Sequence, residues 1–292
     1  MTAQPATVHD LHTHSTASDG AYSPAELLER AARAGIQVLA LTDHDTTAGL
    51  AEAQEAAELW GVDFIAGIEV SVTWQNRTLH VVGLRIDPKH APLQAGLERL
   101  RQIRTDRALE MDARLARAGI SGILDAARQQ AGPGMITRTH FARCLASRGL
   151  AADVRDVFNR YLTLGKPGHV STRWADMEAA IDWIRSAGGI AVLAHPQSYK
   201  LTHSWLRRLL GEFKEMGGEA LEVLSGTSAP GDVQSSAALA RHHGLLASCG
   251  SDFHGPDDSW PKLGRLPGLP ADLNPVWRAW EQPPTLQSAS RP

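Results

Sequence analysis

The chain has 292 residues, 43% of them hydrophobic, and a formal net charge of −3 at pH 7. A chain of this length buries roughly three quarters of its unfolded surface, which suits one large domain or a domain with an insertion. The near-neutral charge excludes a generally basic surface for nucleic acid, so an anionic ligand must be held by local charges. The two cysteines, Cys144 and Cys249, are too few and too far apart for a disulfide framework or a cysteine metal site.

The N-terminal segment MTAQPATVHD has neither the basic start nor the apolar stretch of a signal peptide. The chain also has no run of eighteen apolar residues that could span a membrane. We therefore expect a cytoplasmic protein without a membrane segment, and no sequence feature implies an obligate protein partner.

Short β-rich runs alternate with helical patterns along most of the chain. The predicted strands are 8–11, 38–42, 63–70, 79–84, 190–194, 220–224 and 245–249. The predicted helices are 24–34, 47–60, 176–187, 204–216 and 232–243, and several end at a glycine, as helices often do. Repeated strand–helix units favour a parallel sheet, and this many units favour an α/β fold closed into a barrel.

The third and fourth strands depart from the alternation. Only the segment SVTWQNRT joins them, and it is too short to hold a helix. Asn76 suits a tight turn, so this pair is predicted to be a β-hairpin.

Residues 98–168 interrupt the alternation with helical patterns alone. A long amphipathic helix ending at Gly119 and two shorter helices, in THFARCLASRG and DVRDVFNRYL, are predicted here. Their charged faces are interpreted as mostly solvated surface. The predicted organisation is a first barrel part at 1–97, a helical insertion covering the active site at 98–168, a second barrel part at 169–280 and a flexible tail at 281–292.

Metal-ligand residues recur where the predicted strands end. His12 and His14, in DLHTHSTASDG, share one face of an extended strand at a spacing that suits one ion, although the pair alone could equally be two surface histidines. The carboxyl ends of parallel strands meet on one face of a barrel, where active sites are built. Nine candidate ligands occur, too many for one tetrahedral ion and enough for two or three. They are His12, His14, Asp19, His44, Glu69, His80, His195, Asp252 and His254.

The motifs DLHTHS, SDG, TDHD, GIEV, HVVGL, AHP and GSDFH, in this order, resemble the polymerase and histidinol phosphatase (PHP) superfamily of metal-dependent phosphoesterases. The resemblance covers residues 8–96 and 168–255. It is greatest to the single-chain branch with a helical insertion and an R-x-H-x-A signature, present here as RTHFAR. That branch includes 3′,5′-nucleoside bisphosphate phosphatases and 5′-to-3′ exoribonucleases. The resemblance implies a distorted (β/α)7 TIM-like barrel, the PHP fold, with a helical insertion.

The resemblance also implies how two to three divalent metal ions would be shared among the candidate ligands. Some family members carry a histidine where this chain has Asp19. The mixture of imidazole and carboxylate suits Mn²⁺, which we favour, and also Zn²⁺ or Fe²⁺. The implied groups are His12, His14, Glu69 and Asp252 for one ion, Glu69, His80 and His195 for a second, and Asp19, His44 and His254 for a third.

Further residues are expected to act on the substrate. Asp43, Asp252 and His195 are the expected catalytic residues. Arg138 and His140 in the insertion are predicted to hold a phosphate that is not cleaved, with Arg143 and Lys166 as further candidates. The alternative is that RTHFAR is only the exposed face of a helix.

Three functional hypotheses follow. The first is a phosphoesterase in which a metal-bridging hydroxide attacks phosphorus in line, acting on a small nucleotide such as pAp or on the 5′ end of a short RNA. The second is a metal-dependent amidohydrolase, against which the SDG and TDHD motifs and the Arg/His pair argue. The third is a non-catalytic metal-stabilised module, against which the complete ligand set argues.

Overall fold

Eight strands form one sheet in the computed structural model, which describes residues 7–226, 228–256 and 262–281. Seven of them follow the order β1-β2-β3-β4-β6-β7-β8, and the two-residue β5 pairs with β3 beside this path. The strand bounds are β1 His9–Asp10, β2 Val38–Leu41, β3 Asp63–Trp74, β4 Arg77–Leu84, β5 Ala175–Asp176, β6 Ile190–Leu193, β7 Ala220–Ser225 and β8 Leu246–Gly250.

The sheet closes because the segments at its two ends are hydrogen-bonded to each other. The Leu11 N–H donates to the Cys249 carbonyl at 3.0 Å, and the Asp252 N–H donates to the His12 carbonyl at 2.8 Å. The neighbouring strands are parallel except that β4 is antiparallel to both β3 and β6. These features confirm the predicted α/β class and the distorted seven-stranded barrel. The sequence did not predict β5, because two residues leave no periodic pattern.

The predicted hairpin is confirmed and brings β4 to the functional rim of the barrel. Gln75 and Asn76 form its turn with φ values of +46° and +61°, as a two-residue hairpin loop requires. Because β4 runs backwards, its first half lies at the rim where the parallel strands end. Ser71 of β3 is therefore opposite His80 of β4, which places His80 on the same rim as Glu69.

Ten α-helices surround or extend the barrel in the described residues. A π-helix at Phe158–Leu162 and a 3-10 helix at Pro196–Tyr199 add to them. The length and apolar character needed to cross a membrane are found in no helix of the described residues. The bounds are α1 Pro24–Arg33, α2 Leu50–Trp60, α3 Ala91–Arg117, α4 Ile123–Ala131, α5 Arg138–Ser147, α6 Val154–Val157, α7 Met177–Ser186, α8 His203–Glu215, α9 Pro230–His243 and α10 Arg278–Glu281.

The two faces of the sheet carry different residues because successive side chains of a strand point in opposite directions. Ile68, Val70 and Val72 of β3 point outward into the core formed with the surrounding helices. Glu69 and Ser71, between them, are also buried but point into the barrel. This alternation carries polar chemistry inside the barrel while the outward face supplies the apolar contacts that stabilise the fold.

Helix α3 belongs to both parts of the molecule. It begins at Ala91, earlier than the predicted 98, with a proline in its first turn, a position that proline favours. Its first half packs on α7, where a Cβ on Gly96 would lie 2.6 Å from the Trp183 ring. Its second half contributes Met111 and Leu115 to a separate hydrophobic cluster with α4 and α5. The predicted boundary at 97/98 therefore falls within one continuous helix.

The opposite end of the barrel is filled by side chains. Val276 packs with apolar residues from inside the barrel, and Trp277 stacks on His9 with ring centroids 3.9 Å apart. The barrel therefore has one polar rim, which is where the candidate ligands lie. The tail predicted at 281–292 lies outside the described residues except for Glu281, the last residue of α10.

Candidate active site

Nine side chains converge at the rim, and we call them the ligand cluster. They come from the loops after β1, β2, β6 and β8 and from the strands β3 and β4. Most are buried and lie within a few ångströms of one another. The cluster consists of all the ligands predicted from sequence: His12, His14, Asp19, His44, Glu69, His80, His195, Asp252 and His254.

Glu69 lies at the centre of the ligand cluster and is fully buried. Burial alone would raise the pKa of Glu69, but the imidazoles of His80, His44 and His12 hold it well below its ordinary value. The surrounding imidazoles therefore favour the charged form of this buried carboxylate. Imidazole nitrogens approach its two oxygens from five sides: His12 Nε2 at 3.3 Å, His14 Nε2 at 3.4 Å, His44 Nδ1 at 2.7 Å, His80 Nδ1 at 2.9 Å and His195 Nε2 at 3.0 Å.

The cluster divides into overlapping groups of ligand atoms. In three of these groups all the atoms lie within 4.8 Å of one another. His195 Nε2 also lies 3.3 Å from His80 Nδ1, so it joins Glu69 and His80. The three groups are His12, His14, Glu69 and Asp252; His44, Glu69 and His80; and His14, Asp19, His44 and His254.

His44 links two of these groups through different ring nitrogens. Its Nδ1 is 2.7 Å from Glu69 Oε2, whereas its Nε2 is 3.8 Å from Asp19 Oδ1. The resemblance alone implied a place for His44 only beside Asp19. A neutral imidazole offers a lone pair from only one of its two nitrogens, so the tautomer of His44 would decide which side it serves as a ligand.

Several buried polar atoms of the cluster have close neighbours but form no hydrogen bond of acceptable geometry with any described residue. They include His12 Nε2, His14 Nδ1 and Glu69 Oε2. Buried polar atoms without a partner are costly unless something else compensates them. A divalent cation would do so, and a mixed imidazole and carboxylate set suits Mn²⁺, Zn²⁺ or Fe²⁺. The residues present therefore fit divalent metal ions.

Glu222 supports the cluster from β7 and is absent from the predictions made on sequence. Its Oε1 lies 3.0 Å from His12 Nδ1, and its Oε2 accepts the His195 N–H at 2.6 Å. A metal-binding histidine usually donates a hydrogen bond from its second ring N–H to such a carboxylate, which fixes the tautomer and the ring orientation. The available signal was a carboxylate in the otherwise apolar strand ALEVL.

Gly250 lets β8 pass close to His12 and Glu222. A Cβ at this position would lie 2.2 Å from the His12 Cβ and 2.9 Å from Glu222 Oε1. Any larger residue would push the strand away from the first ligand. The absence of a side chain here therefore positions the cluster.

Asp43, predicted as catalytic, faces the loop that follows β1 rather than the histidines. Its oxygens accept hydrogen bonds from the Ser15 N–H at 2.8 Å and from the Ser15 and Ser18 hydroxyls, each at 2.6 Å. Burial, only partly opposed by these hydrogen bonds, raises the pKa of Asp43 to about 6. The structure places Asp43 where it orients the loop that carries Asp19.

Asp252 and His195, the other two predicted catalytic residues, lie within the ligand cluster on strained backbone. Their φ values are +55° and +27°, a region that non-glycine residues rarely occupy and that recurs at functional sites. Asp252 Oδ1 is 3.4 Å from His12 Nε2 and 3.2 Å from His14 Nε2. Burial opposes ionisation, but the His12 and His254 imidazoles hold the pKa of Asp252 below its usual range.

A cavity of about 60 Å³, which we call the arginine cavity, adjoins the ligand cluster. Arg104 is paired there with Asp45, its Nε lying 2.7 Å from Asp45 Oδ2. Neither Arg107 nor Arg138 forms an ion pair within the described part of the chain. The lining combines Asp19, His44 and His80 of the cluster with Arg104, Arg107 and Arg138, and with Phe158 and Trp174.

Aromatic rings hold these guanidinium groups in place. The guanidinium carbons of Arg104 and Arg107 lie 5.1 and 5.2 Å from the Trp174 ring, and that of Arg138 lies 5.6 Å from the Phe158 ring. These are cation–π distances. Burial and neighbouring guanidinium charges lower the pKa of both Arg107 and Arg138, so an anion bound here would relieve an excess of positive charge.

Arg104 and Arg107 were missed because their helix was interpreted as solvated surface. The missed signal is periodic: Arg104 falls in the same helical stripe as the buried Leu100, Ala108 and Met111. An arginine within an apolar stripe must find a buried partner, which here includes Asp45.

His140 and Arg143 line a different cavity from Arg138. Residues of an α-helix advance by about 100° each, so Arg138 and His140 project from nearly opposite sides of α5. His140 Nδ1 accepts the Thr137 N–H at 3.1 Å, and burial lowers its pKa to about 4, so His140 is a neutral donor through Nε2. Lys166 lies in an exposed turn and is not among the described residues lining either cavity.

Comparison with known proteins identifies the family. The PHP domain profile matches residues 10–187. The chain belongs to the PHP domain family. It is 48% identical to a 3′,5′-nucleoside bisphosphate phosphatase of Chromobacterium violaceum, covering 93% of this chain and 96% of the relative. It is 45% identical to the 5′-3′ exoribonuclease Rnm of Escherichia coli, covering 95% of each.

Solved structures share the PHP fold over nearly the whole chain. One, described as an amidohydrolase from Chromobacterium violaceum with bound sulfate and no metal, has a TM-score of 0.90 and 48% identity, and the match covers 94% of this chain and 95% of that one. Another, a suggested metal-dependent phosphoesterase from Bifidobacterium adolescentis, has a TM-score of 0.79 and 28% identity, with 95% and 96% covered. These similarities confirm the family resemblance seen in the motifs.

Proposed function

We propose that this PHP-family protein is a hydrolase that removes the 3′-phosphate from nucleoside 3′,5′-bisphosphates, for example converting pAp to AMP. The observation that carries the proposal is the arginine cavity beside the ligand cluster. A bisphosphate presents two phosphates on one ribose. The site offers two places that would attract anions, the metal-loaded ligand cluster and the arginine cavity. The phosphatase of Chromobacterium violaceum, 48% identical, supports the same substrate class.

The ligand cluster would hold two to three divalent ions, with Mn²⁺ favoured over Zn²⁺ and Fe²⁺. Glu69 would be shared between ions because both its oxygens face imidazoles. Bound ions of this kind supply Lewis acidity at the phosphoryl group and lower the pKa of water.

The chain's own residues would bind and orient the nucleotide. Arg107 and Arg138 donate charge-assisted hydrogen bonds to the phosphate that is not cleaved, which turns the 3′-phosphate toward the cluster. Trp174 and Phe158 keep those guanidiniums in place. Glu222 holds His12, and Asp43 holds the loop carrying Asp19. The helical insertion would exclude water from this side of the rim.

Two other activities deserve comparison. A 5′-3′ exoribonuclease would use the same site, with the 5′-phosphate of RNA in the arginine cavity, and the Escherichia coli relative favours it as the second candidate. An amidohydrolase is suggested by the description of one structural neighbour, but that structure contains sulfate, a tetrahedral oxyanion like phosphate. Arg107 and Arg138, which form no ion pair in the described residues, suit an anionic substrate better than a neutral amide.

A substrate panel tests the proposal. Metal-loaded protein is assayed with pAp, 3′-AMP, p-nitrophenyl phosphate and an N-acyl amino acid. We expect kcat/KM for pAp to exceed that for 3′-AMP by at least about tenfold, because one charge-assisted hydrogen bond contributes about 1.5–3 kcal/mol. The amide should not react. Equal rates on pAp and 3′-AMP, or turnover of the amide alone, would contradict the proposal.

A further inference from the structure

A second cavity, of about 260 Å³, lies on the other side of α5 from the arginine cavity, and we call it the α5 cavity. One helix separates the two, because Arg138 projects from one side of α5 and His140 and Arg143 from the other. The lining of the α5 cavity is Thr16, Gly20, Ala21, Gln130, His140 and Arg143.

The α5 cavity begins beside two members of the ligand cluster. Gly20 and Ala21 directly follow Asp19 in the chain. The Ala21 N–H donates to the His254 carbonyl at 2.8 Å, and Arg143 Nη2 reaches the same carbonyl oxygen at 3.4 Å. A group attached to a phosphate at the cluster therefore has a short path into this cavity.

The polar groups of the α5 cavity favour an anion of low charge. No carboxylate belongs to its described lining, and Arg143 forms no ion pair in the part of the chain that the structure describes. His140 adds a neutral Nε2–H donor, since its Nδ1 is already occupied by the Thr137 N–H. Gln130 adds an uncharged amide. One guanidinium among neutral donors suits the single charge of a phosphodiester, whereas the arginine cavity gathers three guanidiniums.

We propose that the α5 cavity binds the first phosphodiester beyond the cleaved bond of a 5′-phosphorylated RNA. The inference rests on the proposed function, because it takes the 5′-phosphate to be in the arginine cavity and the 3′-linked phosphate at the ligand cluster. The remainder of an RNA must then leave the cluster away from the arginine cavity. The α5 cavity lies on that side and offers donors to the next phosphate.

The same bond is broken in both substrates. Water adds its oxygen to phosphorus, the P–O3′ bond breaks, and the departing 3′-oxygen takes a proton. With a bisphosphate the second product is inorganic phosphate. With RNA it is the shortened chain, whose new 5′ end keeps the phosphate. Only RNA has a further phosphodiester, so only RNA can use the α5 cavity.

The test compares two 5′-phosphorylated RNAs. The dinucleotide pNpN ends before the second phosphodiester, whereas the trinucleotide pNpNpN includes it. We expect the wild-type protein to prefer the trinucleotide in kcat/KM. Arg143→Ala should lower the ratio of trinucleotide to dinucleotide kcat/KM at least fivefold, and Arg143→Lys should restore part of it.

A second variant tests the inference even if Arg143→Ala fails to fold. Gln130 is exposed at the edge of the cavity, so Gln130→Glu should fold normally and lower the same ratio by repelling the phosphodiester. Arg128→Ala, an exposed change on the same helix α4, is the matched control and should leave the ratio unchanged.

Three results separate the inference from the proposed function. An unchanged ratio in both Arg143→Ala and Gln130→Glu overturns the inference. So does a wild-type protein that hydrolyses pAp but cleaves neither RNA, or cleaves both equally well. Failure of the wild-type protein to hydrolyse pAp while it cleaves RNA overturns the proposed phosphatase function and leaves the α5 cavity inference standing.

Discussion

At the scale of single residues, the sequence identified the ligand cluster because histidines and carboxylates at strand ends are conspicuous among apolar runs. All nine predicted ligands are brought together at one rim. Glu222 escaped prediction because it lies within a strand and not at its end. Arg107 escaped because its charged helix was interpreted as solvated surface, although Arg107 lies four residues before the buried Met111. In both cases the missing information was which side of its strand or helix the residue lies on.

Replacing Glu222 by Gln should weaken metal binding while leaving the fold intact. The amide keeps the shape of the side chain but provides one acceptor oxygen where the carboxylate provides two. Either the His12 ring or the His195 backbone N–H therefore loses its acceptor. Loss of such a supporting partner typically costs about 10- to 100-fold in metal affinity. Titration of metal-stripped protein should show this shift, with turnover recovering at high metal concentration.

Glu55→Gln, an exposed change on α2, is the control for that measurement. A Glu222→Gln protein with wild-type metal affinity would show that His12 does not depend on this carboxylate.

At the scale of elements, regular patterns were predictable and short or shared elements were not. The hairpin of β3 and β4 followed from Asn76 in a short connection, and the structure shows the expected left-handed turn. Helix α4, with its buried Ile123 and Ala127, was not predicted. The pairing of Arg138 with His140 was expected from a sequence signature, but a spacing of two residues in a helix separates side chains by about 200°. Helical periodicity therefore limits which side chains of one helix can contact the same ligand.

Replacing Arg138 by Ala should impair bisphosphate hydrolysis selectively. The variant loses a charge-assisted hydrogen bond to the phosphate that is not cleaved, so kcat/KM for pAp should fall by about 1.5–3 kcal/mol, or about 10- to 150-fold. The rate on 3′-AMP should fall far less, because that substrate lacks the 5′-phosphate.

The exposed Arg128→Ala change in the same helical region serves as the control for Arg138. Equal losses on pAp and 3′-AMP would mean that Arg138 acts on the cleaved phosphate or on the fold, not on a second phosphate.

At the scale of the whole molecule, the alternation of strands and helices was sufficient to predict a barrel. The alternation could not predict which end of the barrel is filled by side chains. One end is filled by Val276 and the Trp277 ring stacked on His9. The other end carries the ligand cluster, whose members come from six strands or the loops after them. Ions bound there would join strands that hydrogen bonds alone connect only to their neighbours.

Removing metal should therefore lower the Tm of the whole protein. An ion present at 1,000 times its Kd stabilises the folded state by about 4 kcal/mol, and each kcal/mol shifts Tm by about 2–4 °C in a protein of this size class. We expect prolonged chelation to lower Tm by on the order of 10 °C and to abolish turnover.

Mn²⁺ should restore both properties at least as well as Mg²⁺, since imidazole-rich sites suit Mn²⁺ better. Full activity of metal-stripped protein with Mg²⁺ alone, or an unchanged Tm after metal analysis confirms removal, would contradict this expectation.

The hydrogen bond from Thr137 Oγ1 to Asp19 Oδ2, at 2.8 Å, joins the start of α5 to a member of the ligand cluster. Thr137 also caps that helix by accepting the Thr139 N–H. Substrate binding to α5 and metal binding at Asp19 are thus connected through one hydroxyl. Thermodynamic reciprocity then requires that the factor by which a bound nucleotide changes metal affinity equals the factor by which bound metal changes nucleotide affinity. Where that factor exceeds one, the protein holds its ions more tightly with substrate bound than without it.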